Sequence, residues 1–510
     1  MATRASGLVE PRALAGPHVA PVVTPLVRAI PSDWTPLRAL AAVEHLEHTL
    51  FLESGGAVGV GSEWTILAFD PVWRLELRDG ALLRVEGSRV EMLGGDPLAA
   101  LAHAWPERVV MEPRPTVPFA SGLAGYLAYE LKDWIERYPR KAAREIDLPE
   151  LLLGFYDVVW AWNRGTGEAW CVSTGLPERD ADIREERAQD RLLAQWRILE
   201  PAQVGAAPGT RSVPAHARPT APHSASAPGG DAYQPSVTSN FTRGAYLRMV
   251  ERALEHIAAG DIYQVNLAQR FRVEPAPPLP ELYRSLRGAS PAPFLAYLSL
   301  ADGGIASSSP ERFFRIEGDR IETWPIKGTR PRGTTDAEDL DLAGALRASA
   351  KDRAENVMIV DLERNDLGRI CEIGSIRVPA LFEISSHSNV HHLVSRVEGR
   401  VRPGVTPVDI ILALFPGGSI TGAPKIRAVE IIDDLEPVKR GVYTGAIGYW
   451  DVLGDCDWNI AIRTIVAAGG AASFHAGGGI VADSTPEAEY EETLVKARGM
   501  MRALGVTWEG

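Results

Sequence analysis

A mixed α/β (α+β) fold is the expectation for this chain, and three features of its 510 residues carry it. Short apolar runs bounded by turn residues alternate with longer stretches of helical apolar spacing, and they do so in both halves. The composition, 45% hydrophobic and 23% charged, is that of an ordinary globular protein. The length suits two to four domains at about 100–200 residues each, enough to bury a large core without covalent staples.

The elements follow in order. Residues 1–20 form an N-terminal extension, broken by Pro11 and Pro17 and lacking the continuous apolar run of a signal peptide. Residues 21–200 read as one domain. In it the spacing predicts helices over 36–48 and 183–199, and strands over 64–69, 72–77 and 158–162. Residues 201–240, rich in Pro, Ala and Ser and without periodicity, read as a linker or insertion, because such a composition buries too little surface to offset its ordering entropy. Residues 241–510 read as a second domain. Its helix over 246–259 shows Leu247, Val250, Leu254 and Ile257 on one face and ends at Gly260. Further helices are predicted over 350–367, over 424–435 with Pro424 at the first helical position, and over 486–504; residues 460–467 read as a strand. No internal repeat is seen.

Charge and cysteine usage narrow the class of function. The net charge of -13 argues against nucleic acid or anionic membranes as partners. No run of about 18 uninterrupted apolar residues occurs, so no membrane-spanning helix is expected. Cys171, Cys371 and Cys456, odd in number and far apart, form neither a disulfide framework nor a thiolate zinc cage and fit a reducing cytoplasm.

Several segments carry chemistry, each with a plainer reading beside it. Gly417 to Lys425 lacks the Gly-Lys-Ser/Thr of a phosphate-binding loop, Glu53 to Trp64 is a glycine-rich turn, and His391-His392 lacks partners at metal-ligand spacing. Asp352 with Glu355, and Glu489 with Glu492, stand three apart on predicted helices and so share a face. Four such carboxylates suit a hard ion such as Mg²⁺, or simply form solvated faces. The chain has only seven lysines against forty-six arginines, and one of the seven, Lys327, lies beside Arg330 and Arg332. Neighbouring cations and burial would both favour its free amine, a nucleophile or base; the alternative is a basic turn that binds an anion. The glycines 477–479 read as a backbone nest for a carboxylate, with Arg463 as a bidentate clamp, or as a flexible turn.

Residues 260–271 (GDIYQVNLAQRF), 309–314 (SPERFF), 325–333 (PIKGTRPRG), 350–370 (AKDRAENVMIVDLERNDLGRI), 390–395 (VHHLVS), 415–437, 443–450 (YTGAIGYW) and 477–497 closely resemble the chorismate-utilising enzymes, in family order. Residues 51–55 (FLESG), 64–71 and 119–131 resemble the family's N-terminal domain more weakly. The resemblance implies two large antiparallel sheets packed face to face with helices outside. It also implies that Glu311 is the general acid/base and that His392 stands near the leaving hydroxyl. Glu355 and Glu492 would be Mg²⁺ ligands, with Asp352 and Glu489 behind them, and Gln264, Gly328, Thr329, Tyr443, Arg463, Gly478, Gly479 and Lys496 would bind substrate. Gln264 stands where the water-adding branches carry a lysine base, which disfavours them. The PIKGT form resembles the branch that aminates chorismate at C4, with Lys327 as covalent nucleophile at C2; anthranilate-forming relatives usually read PIAGT. No glutaminase segment is recognised, so ammonia from a separate glutamine amidotransferase subunit is expected, with the product feeding p-aminobenzoate and folate. Ser54, Pro293, Phe294 and Leu295 match a pocket that holds L-tryptophan in some relatives, although the loop after Ser54 departs from the family pattern. The rival readings are anthranilate formation by amination at C2 and a catalytically silent ligand-binding subunit.

Overall fold

Strands buried at every residue, Gly122–Leu127, Leu151–Tyr156 and Ala446–Asp451, are covered on both faces and so belong to the middle of a layered structure. Trp73–Arg78 instead alternates buried and half-buried residues, as a strand nearer a sheet edge does. The computed structural model describes residues 20–55, 63–139, 141–200, 235–386 and 390–508. In it these strands lie in one of two 12-stranded sheets, and every pairing within the two sheets is antiparallel.

Both sheets are woven from both halves of the chain. In the first, Gly122–Leu127 pairs with Ala446–Asp451, with Tyr126 opposite Ile447. In the second, Leu50–Glu53 pairs with Phe294–Leu300, with Glu53 opposite Leu295. Leu50, Ile66, Tyr126, Leu152, Tyr156, Leu298 and Ile447 pack between the sheets as a shared core. Helices Ala181–Leu199, Leu279–Ala289 and Pro486–Ala503 carry apolar faces into the core outside the second sheet, while Pro97–Ala104, Pro407–Leu414 and Ala350–Gly368 do so outside the first. The expected antiparallel sheets and outer helices are therefore present.

Local differences have physical causes. The strand expected over 460–467 is two strands, Cys456–Ile460 and Thr464–Ala468, because Arg463 takes a left-handed conformation (φ 51°) that no continuous strand tolerates. Pro424 is the N-cap of helix Lys425–Leu435 rather than its first residue. The Pro-rich stretch 201–240 ends in a strand, Ser236–Ser239, paired with Phe271–Glu274; residues 201–234 lie outside the described residues, as does the loop 56–62. Cys171, Cys371 and Cys456 are all buried free thiols. Among the described residues no helix is long and apolar enough to cross a membrane.

Candidate active site

Strand Ile326–Pro331 carries Lys327, and Glu311 stands one residue ahead of strand Arg312–Glu317. Lys327 Nζ donates to the Ser419 carbonyl at 3.0 Å, and Asn266 Nδ2 donates to the same oxygen at 3.0 Å. The Ser419 hydroxyl and the Ile326 backbone N–H support the ionised Glu311 carboxylate. Ser419 thus touches both groups. Burial lowers the Lys327 pKa, with Lys496 adding to the effect and Glu311 and Glu355 opposing it. Burial likewise raises Glu311, against Ser419 and Lys327. An amine inclined to lose its proton thus stands beside an acid inclined to keep one, a pair fit for nucleophilic attack with protonation of a leaving group.

The cations expected to depress Lys327 are spent elsewhere. Arg330 Nη2 donates to Asp352 at 3.0 Å, and Arg332 binds Asp339 through two bonds of 2.7 Å. Gly328 has φ 82°, and a Cβ there would lie 2.8 Å from Asp352 Cγ. The glycine therefore admits the Asp352 side chain rather than a ligand. Thr329 Oγ1 lies 2.9 Å from His392 Nδ1, while His391 Nε2 faces Asp339 at 2.9 Å.

Glu355 comes from helix Ala350–Gly368, and Glu489 and Glu492 come from helix Pro486–Ala503. A Cβ on Gly478 would lie 3.0 Å from Glu489 Oε2 and 3.1 Å from Glu492 Oε1, so the strand closes against these oxygens. Lys496 Nζ bridges Glu492 at 2.7 Å and the Gly477 carbonyl at 2.8 Å. Burial raises Glu489 and Glu355. Burial pushes Glu492 the same way, but Lys496, Lys351 and Lys327 outweigh it and hold the carboxyl below its ordinary range. Among the described residues no three metal-type ligands converge into a ready-made cage. One donor of this set is nonetheless unsatisfied. Glu489 Oε2 is buried with no hydrogen-bond partner, and Lys351, 3.9 Å from Glu355, acts electrostatically on all three glutamates. Asp352 is paired with Arg330 and acts electrostatically on Glu355.

The glycine run is a correction to the nest reading. Gly477, Gly478 and Gly479 lie inside strand Ala471–Ile480, paired with Ala268, Leu267 and Asn266. Gly479 instead leaves room for Gln264, whose amide nitrogen would be 2.8 Å from a Cβ there. Gln264 is fully buried and both its amide atoms lack partners, so it is poised for a ligand. Burial lowers the pKa of Arg463, and its guanidinium has no carboxylate partner among the described residues, which is the condition of an anion receptor. Tyr443 stacks on His475 with ring centroids 5.0 Å apart, and burial pushes its hydroxyl up to about 12. Ser54 is buried, and Leu295 and the Ala292 carbonyl crowd the adjoining Gly55.

Two participants escaped the sequence reading. Ser419 sits in the glycine-rich turn set aside as a failed phosphate loop, and Lys351 is one of the seven lysines whose scarcity was the available signal.

A family model described as chorismate binding enzyme matches residues 48–502. Aminodeoxychorismate synthase component 1 of Bacillus subtilis is 36% identical over 91% of this chain and 93% of its own length. Anthranilate synthase component 1 of Thermus thermophilus is 38% identical over 93% of this chain and 96% of its own. The crystal structure of anthranilate synthase component I from Streptococcus pneumoniae superposes with a TM-score of 0.72 at 30% identity, covering 87% of this chain and 93% of that one. Sequence and fold agree: the chain belongs to the chorismate binding enzyme family.

Proposed function

We propose that this chain aminates chorismate at C4 to give 4-amino-4-deoxychorismate for p-aminobenzoate and folate synthesis, using ammonia from a separate glutamine amidotransferase subunit. The observation that carries the reading is Lys327, a buried amine of lowered pKa held by Ser419 beside the acid Glu311.

Neutral Lys327 attacks C2 as both ring double bonds shift and the C4 hydroxyl departs. Glu311 gives that hydroxyl its proton, so water leaves, and the proton shed by the new secondary amine returns to Glu311. Ammonia then bonds to C4, both double bonds shift back, and the C2–lysine bond breaks. Glu311 passes the ammonia-derived proton to the departing lysine nitrogen. The sum is chorismate plus ammonia giving product plus water. Arg463 and Lys496 receive substrate carboxylates, the Gln264 amide meets a polar group of the ring, and the Thr329 hydroxyl fixes the His392 ring near the leaving oxygen. Glu355, Glu489 and Glu492 would hold Mg²⁺, which when bound supplies positive charge to the substrate's ring carboxylate.

A second reading, anthranilate formation by ammonia addition at C2, is favoured by the Thermus thermophilus relative, whose identity is as high. The two separate by product. The purified chain with chorismate, Mg²⁺ and ammonium is expected to yield 4-amino-4-deoxychorismate, and Lys327→Ala to lose at least about a hundredfold in rate, the scale of a missing nucleophile. Fluorescent anthranilate, or an undiminished Lys327→Ala, would refute the C4 assignment.

A further inference from the structure

Glu363 takes no part in this scheme, yet it is only 5% exposed and lies two helical turns beyond Glu355 on the same face of helix Ala350–Gly368. Its Oε2 accepts the Thr323 hydroxyl at 3.0 Å. Thr323 ends the strand Arg320–Thr323, just ahead of Ile326 and Lys327. On its other side the helix meets the turn Gly418–Ile420. A Cβ on Gly418 would stand 2.5 Å from Leu362 Cδ2 and 3.7 Å from Glu363 Oε1. The next residue is Ser419, the one that holds Lys327 through its carbonyl and Glu311 through its hydroxyl. Glu363 therefore stands between the two backbone segments that place the reacting groups.

A leucine there would fill the space without burying a carboxyl, which is costly when poorly compensated. Two charged groups facing Glu363 disfavour its ionised form, Asp366 on its own helix and Glu311 ahead of strand Arg312–Glu317. The opposing cation, Lys425 at the start of helix Lys425–Leu435, is already bound to Asp366 at 2.5 Å. Burial first, then Asp366, pushes Glu363 up to about 8, with Lys425 and the Thr323 hydroxyl holding it back.

We propose that Glu363 is a positioning residue for the amination: as the uncharged acid it braces Thr323 against the Gly418–Ile420 turn, and so fixes Ser419 where it touches Lys327 and Glu311. This rests on the roles given to those two residues under the proposed function. When Glu363 ionises, three carboxylates face one lysine and the brace loosens. Glutamine keeps the acceptor for Thr323 and never ionises, whereas leucine leaves that hydroxyl without its partner.

The test is steady-state amination by the full chain with chorismate, Mg²⁺ and ammonium, comparing wild type, Glu363→Gln, Glu363→Leu and Lys327→Ala from about pH 6.5 to 9.5. The ratio of wild type to Glu363→Gln at each pH cancels the titration of ammonium and of the other site groups. Glu363→Gln is expected within about threefold of wild type near pH 7, with wild type falling at least about fivefold relative to it by pH 9.5. Glu363→Leu is expected to lose about tenfold in kcat with KM for chorismate little changed. A ratio that does not vary with pH would overturn the proposal, and so would a Glu363→Leu enzyme as fast as wild type. Should the leucine variant fail to fold, the glutamine ratio alone decides. An active Lys327→Ala would instead overturn the reaction assignment on which the proposal stands.

Discussion

Replacing Ser419 by alanine removes one hydroxyl and leaves the backbone carbonyl in place, so it separates the two groups that Ser419 serves. Lys327 keeps its 3.0 Å contact to that carbonyl. Glu311 loses a hydrogen bond that favours its ionised form. A hydrogen bond to an ionised group contributes about 1.5–3 kcal/mol, so its loss favours the protonated acid and the Glu311 pKa should rise. The direction follows from the role. Glu311 must be protonated to release the C4 hydroxyl, so activity falls as pH rises through its pKa. In Ser419→Ala that alkaline limb of kcat/KM moves to higher pH. Lys327 keeps its contact to the carbonyl, so the acid limb, which reports loss of its proton, moves less. The comparison is best made in the Glu363→Gln background, where titration of the neighbouring acid is absent. An alkaline limb that does not move would refute the account, as would equal shifts of both limbs.

Gly328→Ala combines a strained φ of 82° with a Cβ placed 2.8 Å from Asp352. It should cost about 1–2 kcal/mol in urea unfolding and lower kcat by displacing Lys327; unchanged stability would show that the loop adapts freely. Gly478→Ala sits on an extended strand, so the fold should hold, but its methyl would press on Glu489 and Glu492 at 3.0 and 3.1 Å. Mg²⁺ affinity measured by calorimetry is expected to drop about tenfold or more with the melting temperature nearly unchanged, and unaltered affinity would remove these glutamates from the metal site.

How much of this was legible depended on whether the signal was local. The i,i+3 carboxylates read correctly as sharing helix faces, and Glu489 and Glu492 do flank one strand together. Asp352 acts on Glu355 but is also paired with Arg330, 22 residues away, and no spacing rule reports that pairing. The lowered pKa of Lys327 follows the expected direction with burial as its expected leading cause, but the reinforcing cation is Lys496 rather than the adjacent arginines. Glycine runs have no period of their own, so 477–479 read as a nest or a turn, and the strand they form shows only in the register with 266–268. Least legible was the weave of the sheets, since Tyr126 meets Ile447 across more than 300 residues with only a buried apolar run at each end to mark it.

That weave bears on protein engineering. Both seams, Gly122–Leu127 against Ala446–Asp451 and Leu50–Glu53 against Phe294–Leu300, join polypeptide from opposite sides of residues 201–234. Two polypeptides divided there would each carry bare, apolar strand edges and aggregate alone. Produced together, each is the missing template for the other, and turnover would report their encounter. The chain is thus a natural candidate for a split enzyme whose reassembly is read by its own chemistry.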